Sequence, residues 1–105
     1  MYELSEEIAV QVIFLVREGA TGDRELRAFI DGLNEDDKAQ LTALAWVGRG
    51  TFDATDFDRA LETAYEEATV PTADYLTGMP HLAENLEAGL DAMGIDVTRA
   101  EEDLL

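Results

Sequence analysis

The sequence predicts an all-α fold, a compact single-domain bundle of five to six short helices. Three observations lead there: apolar residues recur at three- and four-residue spacing, glycine and proline interrupt that pattern at short intervals, and no stretch reads as a credible strand. A chain of 105 residues matches one domain, here residues 1–105, and can bury roughly two-thirds of its unfolded surface around one core. Residues 96–105 read as an acidic tail.

The elements follow in order. Ser5 is placed to cap a first helix with Glu6 and Glu7 in its first turn, where carboxylates favour the helix dipole, and Gly19 stops it. From Ile8 to Val16 that segment is apolar apart from Gln11, which predicts a helix central in the core or in an oligomer interface. Asp23 caps a short second helix carrying Leu26, Phe29, Ile30 and Leu33, ending near Gly32. Asn34 begins the third, with Asp37 three positions on in the place of a capping-box acid, and the helix runs through Leu41, Leu44 and Ala45 to the stop at Gly48-Arg49-Gly50. Thr55 or Asp53 starts a fourth, whose stripe of Phe57, Ala60, Leu61, Ala64, Tyr65 and Ala68 is the clearest amphipathic pattern in the chain. A brief turn over Ala73–Thr77 follows Pro71. Pro80 then suits the first position of a last helix, in which Leu82, Leu86, Leu90 and Met93 form the buried line and Gly94 the close.

Composition narrows the function. The chain holds 24 acidic residues against seven cations, only one of them lysine, for a formal net charge of −17. Phosphate contacts need clustered lysine and arginine, so direct nucleic-acid binding is disfavoured, and anionic membranes with it. Solubility in a salty cytoplasm is the first reading of such acidity, with a basic protein partner or mimicry of nucleic-acid charge as alternatives. With no cysteine, disulfides, thiolate zinc sites and a cysteine nucleophile are excluded. The acidic N-terminal residues do not resemble a secretory signal, and the apolar run after them is far shorter than the roughly 20 residues that span a bilayer. A cytoplasmic protein is the expectation.

The run from Leu41 to Gly50, Phe52-Asp53 ahead of an acidic helix, and Tyr75-Leu76-Thr77-Gly78-Met79-Pro80 ahead of Leu82–Leu90 together resemble a small bacterial all-helical family of unknown function. Its recognisable elements are tryptophan-any-glycine-arginine-glycine and leucine-any-glycine-any-proline, and the likeness covers residues 26–94. What the resemblance implies is a self-contained helical domain, without an activity or a catalytic residue to transfer.

The candidate binding residues gather around Trp46. Gly48 and Gly50 could turn backbone N–H groups toward an anion while Arg49 offers a planar fork and Trp46 a stacking face. The competing reading is a glycine C-cap, with Arg49 favoured by the negative end of the helix. Tyr75 or His81 could complete a pocket between the third and last helices, although a half-buried packing tyrosine and a surface or structural histidine are the readings the sequence favours. Asp53, Asp56 and Asp58 suggest a hard cation, but no glycine and no closing glutamate stand where a calcium loop needs them. His81 is the only histidine and has neither a nucleophile nor other strong metal ligands beside it in the sequence. No catalytic set, metal site or cofactor is therefore expected. The sequence reads as a non-enzymatic protein-interaction or regulatory module with a protein partner and a homodimer through the first helix. The alternative is a small-ligand or anion-binding domain using Trp46 and Arg49.

If the acidity serves salt tolerance, the melting temperature should rise from low to high salt as screening relieves self-repulsion. A melting temperature that stays flat or falls would remove that explanation.

Overall fold

A computed structural model of the chain describes residues 6–18, 23–67 and 70–94. Among the described residues there are six α-helices and no strand: α1 (Glu6–Arg17), α2 (Asp23–Asp31), α3 (Glu35–Arg49), α4 (Phe57–Glu66), α5 (Thr72–Thr77) and α6 (Leu82–Ala92), with a short 3₁₀ turn over Ala54–Asp56 leading into α4. The all-α prediction therefore holds. Ser5, Gly19, Ala68 and the acidic tail lie outside the described residues.

The central element is α3. Every side chain from Ala39 to Val47 is buried, so α3 presents apolar surface in all directions, against α6 on one side and α4 on another. That place was expected for α1, which instead packs on α6 and α2 through Ala9, Val10, Val12, Ile13 and Leu15. Its apolar circumference is met largely within the chain, leaving Phe14 49% exposed, and so does not by itself call for a second copy. Gln40 and Thr42 are the buried polar residues of α3, and the Gln40 Oε1 has no hydrogen-bond partner among the described residues.

The ends of α3 follow from its sequence. Asn34 Oδ1 accepts the Asp37 N–H at 2.7 Å, satisfying one of the free donors of the first turn, and Glu35, Asp36 and Asp37 complement the positive end of the dipole. At the other end Gly50 takes the left-handed conformation, φ 91°, its N–H donating to the Val47 carbonyl at 3.1 Å while the Thr51 N–H donates to that of Trp46 at 2.9 Å. This is a complete Schellman ending. The helix stops at Gly50, with Gly48 and Arg49 still inside it.

Gly48 has a different task. An ideal Cβ there would fall 1.6 Å from the Asn85 carbonyl oxygen, and one at Gly89 would fall 2.4 Å from that of Leu44. The backbones of α3 and α6 are thus in direct contact along two four-residue rows, Leu44 to Gly48 and Asn85 to Gly89. Neither contact tolerates a side chain.

Two starts differ from the sequence reading. The segment before α4 first forms the 3₁₀ turn, with Asp53 before it and an Asp56 N–H to Asp53 carbonyl bond of 2.9 Å, and neither Asp53 nor Asp56 makes a side-chain cap. Backbone bonding in the tighter turn has taken the cap's place. Pro80 lies outside α6, whose N-cap is His81 in the left-handed region (φ 58°, ψ 37°), since the first helical bond runs from the Asn85 N–H to the His81 carbonyl. A non-glycine residue there carries strain of about 1–2 kcal/mol. Two of the scarce cations tie the periphery together: Arg17 of α1 pairs with Glu87 of α6, and Arg27 of α2 with Asp74 of α5.

Gly48→Ala should lower stability by about 3 kcal/mol, the upper range for overpacking, because backbone rather than a flexible side chain must move. Gly50→Ala should lose only about 1–2 kcal/mol from the left-handed position, where nothing lies within 4 Å of the added carbon. Chemical denaturation checks the order, and equal losses would contradict a backbone contact at Gly48.

Candidate functional site

Trp46 and Tyr75, both candidate binding residues, are in contact with each other as a packed, hydrogen-bonded pair. The indole N–H donates to the Tyr75 hydroxyl at 2.8 Å, and the rings stand edge to face with centroids 6.4 Å apart. Phe52 covers another side of the indole at 5.8 Å. Trp46 is buried, so a partner for its N–H is required, and Tyr75 supplies it.

The other proposed residues stand apart from that pair. Arg49 is exposed and its Nε donates to Thr51 Oγ1 at 3.1 Å, across the helix ending. The amide of Gly50 is occupied by the Schellman bonds, and Gly48 faces the Asn85 backbone. A pocket between α3 and α6 at this level is closed by that contact. His81 is exposed at the start of α6. Asp53, Asp56 and Asp58 are exposed around the start of α4, and among the described residues no three His, Cys, Asp or Glu side chains converge on a point that could hold a metal ion.

A groove of about 90 Å³ lies beside Trp46 and Tyr75, between α3, α4 and α5. Its α3 wall carries Glu35, Lys38, Ala39, Thr42 and Trp46, which share one helix face by their three- and four-residue spacing. Ala64, Tyr65 and Glu67 come from the end of α4, and Val70, Thr72 and Tyr75 from the approach to α5 and α5 itself. Lys38 is held in the groove with its side chain 19% exposed and its ammonium 3.6 Å from Glu35. The Thr42 hydroxyl is turned back to the Lys38 carbonyl at 3.0 Å.

Tyr65 stands on the rim. Its hydroxyl donates to Asp36 Oδ1, and that bond raises the phenol pKa above the ordinary value of 10.0, with partial desolvation and the negative charges of Asp36, Asp37 and Glu35 acting in the same direction. Acidic potential is therefore concentrated where the ring meets solvent.

Of the groove residues, the sequence reading had named only Trp46 and Tyr75 as binding candidates. The signal for the α3 wall was present, because the lone lysine lies one and two helical repeats ahead of Thr42 and Trp46. The α4 and α5 contributions depend on how those helices fold back, which no local pattern states.

With this geometry in place, the family described as "Protein of unknown function (DUF3775)" matches residues 23–95. The chain belongs to the DUF3775 family. No curated protein and no solved structure matches it. The DUF3775 match begins at α2 and takes in every element from there to α6, so all the groove residues fall within it, whereas α1 precedes it.

The raised phenol pKa has a measurable consequence. The Tyr65–Asp36 bond needs the neutral phenol, so its stabilisation is fully present below the unfolded-state value of about 10 and is lost as pH rises through the higher folded-state value. A difference absorbance titration of wild type against Tyr65→Phe should isolate a phenol that ionises above 10. One ionising at or below 10 would show that the bond to Asp36 does not form.

Proposed function

We propose that this DUF3775 chain is a non-enzymatic protein-interaction module whose recognition surface is the groove between α3, α4 and α5. The observation that supports this most directly is the distribution of exposed apolar side chains. Among the described residues three large ones are exposed, and two of them, Tyr65 (46%) and Val70 (54%), flank the groove. Apolar surface gathered at one concave place is characteristic of a docking site rather than of scattered surface residues.

Size favours a protein partner over a metabolite. Pockets that enclose small ligands run to about 300–1,000 Å³ and cover most of the ligand. A groove of about 90 Å³ has room for part of one side chain, with the rest of the partner lying across the rim. The interaction is accordingly an anchor in a shallow pocket surrounded by a polar edge, the usual anatomy of a small protein interface. No helix among the described residues is long and apolar enough to cross a membrane, so the exposed Tyr65 and Val70 are not read as part of a span.

A random-peptide display selection on the full chain, counter-selected on a Val70→Glu variant of matched melting temperature, tests the reading. Sequences should be enriched that lose about tenfold or more in affinity on the variant, the loss of a single anchor contact. Failure to enrich any sequence, or equal binding to both proteins, would overturn it.

A further inference from the structure

We infer that the groove seats an arginine side chain presented by a basic segment of a partner protein. The inference rests on the groove being the docking surface and adds the chemistry of its occupant.

The apolar parts of the groove, Ala39, Ala64 and Val70, favour the aliphatic stem of a side chain, and the acids at its edge favour a cationic head. Lys38 displays that combination already. Its stem lies along the groove with little exposure, and its ammonium stands 3.6 Å from the exposed carboxylate of Glu35. A second carboxylate, Glu67, makes no ion pair among the described residues, so the groove lining holds one uncompensated negative charge. Asp36, whose carboxylate accepts the Tyr65 hydroxyl, and Asp37 beside it extend the negative field around the Tyr65 ring. Around this sits a chain of formal charge −17, which draws cationic partners to its surface and repels anionic ones.

Among cationic side chains the rim selects arginine. Tyr65 is half exposed, with its hydroxyl fixed on Asp36, so its ring is an oriented aromatic surface beside carboxylates. A guanidinium can lie flat on such a ring and direct its N–H groups to an adjacent carboxylate at the same time. An ammonium is a more strongly hydrated point charge and gives up more water on entering. An anionic occupant would meet Glu67 and the Asp36–Asp37 pair with Lys38 already engaged. Exposed acids by themselves specify no site, but here they border a groove with an apolar floor, an aromatic edge and an internal cation lying in it.

The test uses the full chain and four synthetic peptides that differ at one central position, arginine, lysine, citrulline or glutamate, each flanked by the same two lysines in a glycine-serine sequence. Affinities are measured by calorimetry at physiological ionic strength, where exposed charges farther apart than about 8 Å are largely screened. Fluorescence of Trp46, the only tryptophan, reports occupancy of the groove. The arginine peptide should bind saturably and change that fluorescence. Citrulline, which keeps the shape and loses the charge, should bind at least about tenfold more weakly, and lysine should fall between the two. Glu67→Gln should weaken the arginine peptide severalfold and leave the citrulline peptide unchanged, whereas Glu84→Gln on α6, outside the groove, should alter neither.

Equal binding of arginine and lysine peptides would reduce the effect to net charge and overturn the assignment, as would equal binding of arginine and citrulline or preference for glutamate. Display-selected peptides that require Val70 yet contain no arginine would also overturn it while leaving the docking reading in place. Absence of any groove-dependent peptide would remove both.

Discussion

The backbone contact between α3 and α6 is the constraint on which the remaining architecture depends. With Gly48 against the Asn85 carbonyl, and Gly89 against the carbonyl and side chain of Leu44, the two backbones come together at both glycines. Close approach strengthens dispersion along both rows and places Cα hydrogens against carbonyl oxygens, a weak attraction worth about 0.5–1 kcal/mol per contact. It also fixes register, since sliding either helix by one residue would bring a side chain into the space of a missing one. Once α3 is seated in this way, its other faces are positioned to receive α4 and α5, and the outer face of α6 to receive α1.

The groove is a consequence of that arrangement. The buried faces of α4 use small residues, Ala60 and Ala64, alongside the large Phe57, so α4 lies close to α3 at its end nearest the groove. On the other side Tyr75 reaches across to the indole of Trp46 and keeps α5 at the length of a phenol from α3. One wall is set by alanine contact and the opposite wall by an aromatic hydrogen bond. The difference between those two spacings leaves the concavity. Its edge is then chemically determined by what α3 needs at its N-terminus: the acids that complement the helix dipole are the same acids that surround Tyr65.

Much of the fold was legible because it is written in local spacing. The Asn34 cap, the Gly50 ending and the Phe57–Ala60–Ala64 and Leu82–Leu86–Leu90 stripes are patterns that a helix imposes on sequence, and each appears where the spacing puts it. What depended on tertiary packing was not legible. α1 is the more apolar segment, yet α3 takes the centre, because Ala43, Ala45 and Gly48 let neighbours approach where the bulkier side chains of α1 do not. Gly89 gave no signal of its own, since a glycine inside a helix is intelligible only once the helix facing it is known. The Gly48-Arg49-Gly50 segment has the composition of an anion clamp, but its two glycines serve a helix crossing and a helix ending, with Arg49 hydrogen-bonded to Thr51. Of the groove only Trp46 and Tyr75 stood out in the sequence, because the α4 and α5 walls depend on how those helices fold back on α3.

The six residues of α5 are too few to form a stable helix alone. They are held by the buried Ala73 and Leu76, by the Arg27–Asp74 pair and by the single bond from Tyr75 to Trp46. The most extensive contact of α5 is with α2, and α3 meets it through the indole of Trp46 and adjoining packing. Shape at the recognition surface is therefore tied to the packing beneath it, since Ala39, Trp46 and Ala64 both line the groove and belong to the core. A relative with another side chain at the position of Tyr75 would have to give the buried Trp46 N–H a different acceptor, so the groove changes shape only together with the core that supports it.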